Sequence, residues 1–352
     1  MLFEVMFGEY KPDLPSLLGN FQIARNVIPA EASYRPMPSL SEYSSALGTR
    51  CLGAYAAKSG AGVVTIFAGT VTKLYALTGS STTWDDVSRT AGGAYTGTTR
   101  WNFTQFGDFV QAWNGVDATQ EYQLGTSTDF AAMSGSPPIA RYATVANQQI
   151  IVGNVSGGAS NRVQFCGVDA RTTWSTSATA QSDFNDLVGE GVTVMAVVGR
   201  ITPHIWCERK IFTMTYTGPP LVYDFAEMEN QRGTLFPQSV IGYGQFSFGF
   251  CQDGPYSFNG QSLQPIGQGK FANAVMVDFA QANAERMSAA IDPVNQCVVW
   301  GYPSNDSVDG TPDRIHGHTI PFDKLQGVMT AAEVAEARGA GRLVESADRC
   351  GF

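Results

Sequence analysis

The two histidines of Arg314-Ile315-His316-Gly317-His318 are the pair best spaced for metal chemistry in this 352-residue chain. On a strand, side chains alternate, so His316 and His318 would share a face and offer two imidazole nitrogens to one ion. A protein-held metal site takes three or four ligands, and no third is obvious nearby, so strand filling is the simpler reading. The remaining histidine, His204 in Thr202-Pro203-His204-Ile205, reads as a packing or turn residue. Asp306, Asp309 and Asp313 gather oxygens around Gly310 as calcium loops do, but the closing glutamate of the helical type is missing. A solvated turn accounts for them. Asp85 and Asp86 follow Trp84; if that stretch is a strand, neighbours face opposite ways, which argues against a cooperating carboxylate pair.

Other nucleophile and ligand patterns fail on spacing. Cysteines stand at 51, 166, 207, 251, 297 and 350, no two closer than 41 residues, so Cys-x-x-Cys metal spacing is absent. Several lie in apolar runs, where a thiol behaves as a small hydrophobe, and free thiols from a reducing compartment are expected. There is no Gly-x-Ser-x-Gly elbow and no phosphate loop ending in Lys-Ser/Thr. The tryptophans at 84, 101, 113, 174, 206 and 300 sit just before or within loops. They suit either a stacking surface for sugars or bases, or the wedges between repeated sheets; recurrence along repeating strands favours the wedge. The sequence therefore assigns no catalytic, cofactor-binding or metal-ligating residue.

The elements behind these residues repeat. An apolar strand, a short polar turn, a second apolar strand and a Gly/Asp-rich loop recur, with turns at Val71–Leu74, Gly107–Val110, Asn147–Ile150, Glu208–Ile211, Asp253–Tyr256 and Asn295–Val298. Measured from Thr72 through Gly107, Asn147, Glu208 and Asp253 to Asn295, the steps are 35, 40, 61, 45 and 42 residues. Most fall in or near the ~40–50-residue period of propeller blades. One such sheet cannot bury both faces alone, so the units must lean on neighbours around an axis. The expectation is an all-β propeller of about six blades over residues 51–324, with a polar insertion near 171–190 taking up the long step. Residues 1–50, broken by Pro12, Pro15, Pro29, Pro36 and Pro38, read as an extended N-terminal arm that lies over the body or completes a blade. Residues 325–352 turn Ala/Glu/Arg-rich and read as a helical or frayed tail that supplies no further blade.

Composition limits the partners. Net charge is −9, from 22 basic and 31 acidic side chains, and nothing resembles the basic stripe of a nucleic-acid binder. Charged residues make up only 15%, which suits a protein that buries much of itself against other subunits. The N-terminus lacks a basic start followed by an apolar stretch, so export by signal peptide is not expected. The longest apolar run, Val192–Val198, is too short to span a bilayer, so membrane insertion is not expected either.

Several phrases resemble one family together: Arg25–Pro29 with Tyr34–Pro36, Trp101–Asp108 with Asn114-Gly115, Glu208–Phe212 with Tyr216–Pro220, and Asp253–Gly260. They are similar to β-propeller tail hub or nozzle proteins of short-tailed bacteriophages, over roughly residues 5–324. The resemblance implies a structural, non-enzymatic virion tail protein, assembled in the host cytoplasm. It implies a ring, usually of six copies, below portal and adaptor proteins, with fibres or spikes outside. It implies no cofactor, and DNA passing through the ring without specific binding. The acidic balance fits such a conduit, since a wall that gripped phosphates would slow ejection. Family members usually continue with further strands where this chain has its Ala/Glu-rich end. The rival expectation is a carbohydrate-binding or glycan-cleaving propeller, in which Trp84, Asp85 and Asp86 would matter.

Overall fold

Six small antiparallel sheets succeed one another along the chain, each built in simple sequence order. The computed structural model describes residues 9–319, apart from 16–19, 25, 31–32, 38–41 and 98. The expected tail over 325–352 lies outside the described residues. Ahead of the sheets comes a hairpin, β1 (Val27–Ala30) with β2 (Ser33–Pro36). Blade one holds β3 (Gly53–Lys58), β4 (Val64–Gly69), β5 (Leu74–Thr78) and β6 (Asp85–Asp86). Blade two holds β7 (Asn102–Phe106), β8 (Phe109–Trp113), β9 (Gln120–Gln123) and β10 (Ala131–Ala132). Blade three holds β11 (Ala140–Ala146), β12 (Gln149–Val155), β13 (Ala159–Phe165) and β14 (Asp183–Asp186). Blade four holds β15 (Val194–Val198), β16 (His204–Cys207), β17 (Ile211–Gly218) and β18 (Val222–Glu229). Blade five holds β19 (Ile241–Tyr243), β20 (Phe246–Cys251), β21 (Gly254–Phe258) and β22 (Leu263–Pro265). After helix α1 (Ala272–Asp278), blade six holds three described strands, β23 (Ser288–Asp292), β24 (Cys297–Tyr302) and β25 (Arg314–Thr319). The protein is a six-bladed β-propeller.

Burial across a blade follows its geometry. The second strand of each blade lies between two neighbouring sheets and is buried on both faces, as in β4, β16 and β20. That is why these strands read as continuous apolar runs rather than alternating ones. The fourth strands look outward: β6 and β10 are exposed throughout.

First strands begin 49, 38, 54, 47 and 47 residues apart, a more even repeat than the turns gave. The turns at Gly107, Asn147 and Asn295 join first to second strands, whereas those at Thr72, Glu208 and Asp253 join second to third. The 61-residue step therefore runs from one kind of turn to the other. The polar stretch 171–190 divides: its first part belongs to the loop closing blade three, and Asp183–Asp186 form that blade's outer strand β14. In blade four, β15 pairs with β16 and β16 with β17, so the short β16 lies between the two longer strands.

Five apolar clusters fill the five wedges between consecutive blades. Phe67, Trp101, Phe103 and Phe130 join blades one and two. Trp113, Ile150 and Trp174 join two and three; Phe165, Val194, Ile205 and Tyr223 join three and four. Trp206, Ile211 and Phe258 join four and five. Phe250, Phe279, Met287 and Trp300 join five and six. Each fully buried side chain of this size contributes roughly 1.5–3 kcal/mol relative to exposure. The fit is close: a Cβ on Gly69 would stand 2.2 Å from Trp101 Cδ1, so the indole needs glycine there.

The seam between blades six and one differs, for no apolar cluster crosses it among the described residues. Instead the N-terminal arm runs from one side to the other. Asp13 accepts hydrogen bonds from the Asn273 and Ala274 amides at 3.0 and 2.8 Å, capping α1, which has no side-chain cap of its own. Glu9 pairs with Lys270, and the Arg35 guanidinium donates to Asn295 Oδ1 at 2.7 Å in a turn of blade six. Further on, the Ser45 amide donates to Thr82 O at 2.8 Å, and Trp84 Nε1 donates to Ser44 Oγ at 3.1 Å, both on blade one.

Candidate functional site

Most residues singled out by type are occupied in holding the fold. His204 is buried; its Nδ1 lies 2.9 Å from Ser247 Oγ, which also accepts from Trp206 Nε1 at 3.0 Å. The ring packs edge-on against Phe258, and desolvation lowers its pKa to about 4, so the imidazole is neutral. His316 and His318 do share a face of β25, and both rings lie against Phe271. Desolvation, then the charge of His318, lowers the His316 pKa to about 3, and its Nε2 is enclosed without a hydrogen-bond partner. No group of three or more His, Cys, Asp or Glu side chains stands where it could hold a metal ion among the described residues.

Most of the carboxylates are likewise engaged. Asp85 and Asp86 form the short strand β6; Asp86 pairs with Lys73 at 2.6 Å and accepts from the Ser88 hydroxyl. Asp313 accepts from the Ser304 amide and hydroxyl, Asp309 Oδ1 caps the Thr311 amide, and Arg314 pairs with Asp306 and Asp313. These are turn bonds, as the spacing suggested. Of the tryptophans, 101, 113, 174, 206 and 300 are wedge-filling, and Trp84 holds the arm. Cys166, Cys207, Cys251 and Cys297 are buried free thiols; burial pushes Cys166 up to about 11 and Cys297 to about 12, so they are inert at neutral pH.

The clustering that sequence reading missed lies on the propeller axis. First strands of neighbouring blades pack side by side there, and an open pocket lies at the end where they begin. Its lining comes from separate blades: Arg100 and Asn102 at the start of blade two, Arg141 and Tyr142 in blade three, Gln238 before blade five and Glu285 before blade six. Arg141 lies across Gly115, whose φ is +75°; a Cβ there would stand 2.3 Å from Arg141 Cγ.

Arg100 and Arg141 line this mouth with Glu285, and Arg286 and Arg50 lie nearby. Arg100 Nη1 reaches the Glu285 carbonyl at 3.5 Å, at the limit of a hydrogen bond. Arg286 Nε stands 3.5 Å from the Glu285 carboxylate, and Arg286 also donates to the Asp309 carbonyl. Arg50 lies near Arg286; although much of the residue is exposed, desolvation of the guanidinium and then the Arg286 charge hold its pKa below the usual value. Arg141 makes no ion pair among the described residues. Asn102 Oδ1 is buried in the wall without a donor. The signal was present in the sequence: an arginine falls at or just before the first strand of blades one, two, three and six, at 50, 100, 141 and 286. It is visible only once the first strands are known.

No family model and no curated protein sequence matches the chain. Solved structures do match. The extracellular domain of BT4673 from B. thetaiotaomicron is similar at 12% identity and TM-score 0.46, over 81% of this chain and 41% of that one. YCF48 from Cyanidioschyzon merolae matches at 7% identity and TM-score 0.41, over 68% and 73% of the two chains. Apo AztD from Citrobacter koseri matches at 13% identity and TM-score 0.39, over 76% and 74%.

Proposed function

We propose that this chain is a structural, non-enzymatic component of a short-tailed bacteriophage tail, a nozzle or hub subunit working as one member of a ring. The observation that carries the reading is where the family-like phrases fall. Val27-Ile28 and Tyr34–Pro36 lie in the β1–β2 hairpin, and Trp101–Asp108 spans β7. Glu208–Lys210 and Asp253-Gly254 sit at second-to-third strand turns of blades four and five. Spread over arm and blades, the likeness follows the scaffold rather than one grafted site. The low charged fraction supports burial against other copies.

In this reading the conduit is the channel enclosed by the ring, not the axis of one propeller. Portal and adaptor proteins would lie above the ring, fibres or spikes outside it, and DNA would pass without specific binding. The arm and the polar stretch around 171–190 are the surfaces assigned to subunit contacts. Mass photometry of the purified full chain tests assembly: a discrete multiple of the 37.7 kDa protomer is expected, six by the family pattern. A monomer that persists at micromolar concentration would count against the reading.

A further inference from the structure

We propose that Asn259 is a self-modification site, converted without an enzyme to aspartate and isoaspartate by attack of the Gly260 amide nitrogen on its side chain. This is independent of whether the chain belongs to a phage tail. The sequence holds two Asn-Gly pairs, Asn114-Gly115 and Asn259-Gly260, and the fold treats them differently. Asn259 is exposed in the turn between β21 and β22, and its Oδ1 accepts from the Gln261 and Ser262 amides at 2.9 and 2.8 Å. A side-chain carbonyl bonded to the amide two residues on folds the carboxamide back over the next peptide, which brings Cγ alongside the Gly260 nitrogen. As that nitrogen attacks, negative charge builds on Oδ1, and the two N–H groups already aimed at it stabilise the charge as an oxyanion hole does. Gly260, at φ +89°, has no side chain to block the approach.

In the first step the bond from Gly260 N to Asn259 Cγ forms and the Cγ–Nδ2 bond breaks. The Gly260 proton leaves with Nδ2 as ammonia, and a cyclic imide remains. Asn259 Nδ2 makes no hydrogen bond among the described residues, so ammonia departs into solvent. Water then opens the imide: cleavage at Cγ gives aspartate, and cleavage at the main-chain carbonyl gives isoaspartate. Either product adds a negative charge, and isoaspartate also lengthens the main chain in a turn closed by the Phe258–Leu263 pair. Asn114 has the same bonds to Oδ1, from the Val116 and Asp117 amides at 3.0 and 2.8 Å, but its Nδ2 donates to Asp117 Oδ2 at 2.9 Å. Asn114 and Gly115 are buried, and the Ser156 hydroxyl holds the Gly115 carbonyl at 2.6 Å. There the leaving nitrogen is held and water is excluded, so the fold protects this pair.

Peptide mass spectrometry of the full chain during incubation at mildly alkaline pH tests this, with the same chain in urea as the unfolded reference. Asn259 should show the mass gain of exchanging NH2 for OH, and should become a substrate for isoaspartyl methyltransferase. In the folded chain Asn114 should react at least about tenfold more slowly than Asn259, whereas in urea the two should react at similar rates. Asn259 should react in the fold at least as fast as in urea. Gly260→Ala should slow the reaction at least about tenfold, because the added methyl group shields the attacking nitrogen. Asn259→Ser, which keeps a side-chain oxygen for the turn but has no carboxamide, should abolish it. An Asn259 that the fold protects, an Asn114 that reacts as fast as Asn259 in the folded chain, or a Gly260→Ala chain that reacts as before overturns the proposal.

Discussion

The seam between blades four and five and the seam between blades six and one do the same job with opposite chemistry. In the first, Trp206, Ile211, Cys251 and Phe258 exclude water, and the two polar atoms buried there, Trp206 Nε1 and His204 Nδ1, converge on Ser247 Oγ. In the second, guanidinium groups meet near Glu285 and the N-terminal arm crosses from α1 to Trp84. A propeller made of a linear chain must close once between its two ends. Here that joint is held by capping, ion pairs and hydrogen bonds rather than by a packed wedge, so it should open first and respond most to salt.

Cutting an apolar seam should cost most. Trp300→Ala removes a fully buried indole between blades five and six, together with its 2.9 Å bond to Ser239 O, and should destabilise by about 3–5 kcal/mol in denaturant titration. A loss below about 1 kcal/mol would mean that these wedges relax around a cavity.

Acid should come next, and it should select one half of the molecule. All three histidines lie at or after residue 204. His204 and His316 have pKa values of about 4 and about 3 in the fold, below the ordinary 6.5. The unfolded chain therefore binds more protons in that window: their stabilising contribution is full above pH 6.5 and falls as pH drops toward 4. His204 alone should cost on the order of 2 kcal/mol between pH 6.5 and 5. Hydrogen exchange at pH 5 should show blades four to six losing protection while blades one to three keep theirs. Uniform loss across all six blades would contradict the assignment.

The arm should give a smaller effect. Asp13→Ala leaves the first amides of α1 without their cap, worth about 1 kcal/mol, read as faster exchange over 272–279. Glu9 adds a pH signature: hydrogen bonds from Lys11 and Lys270 hold its carboxyl below the ordinary 4.5. Its contribution is present above that value and fades as pH falls through the lowered one. Smallest of all, Arg50→Gln should leave stability within about 0.5 kcal/mol, because it removes a repulsion from Arg286 along with a surface charge. A large loss there would show that the polar seam depends on Arg50.

The blades were legible because burying one strand between two sheets forces continuous apolar runs such as Val64–Gly69 and Phe246–Cys251. Their grouping was harder. First-to-second and second-to-third turns are chemically alike, so Asn147 and Glu208 looked equivalent though they occupy different places in their blades. Strand β16 was hidden because His204–Cys207 is short and follows Pro203. The role of Asp13 had no local signal, since it caps a helix some 260 residues away. The pocket at the axis shares that difficulty: Arg100, Arg141 and Glu285 come together there only through the fold.

Electron cryo-microscopy of virions that carry this protein tests the functional reading most directly. The expected result is a six-bladed density repeated around the tail axis below the portal, with the arm laid across blades six and one of each copy. Particles whose tails lack this density, or a protein found only free of particles, would contradict it.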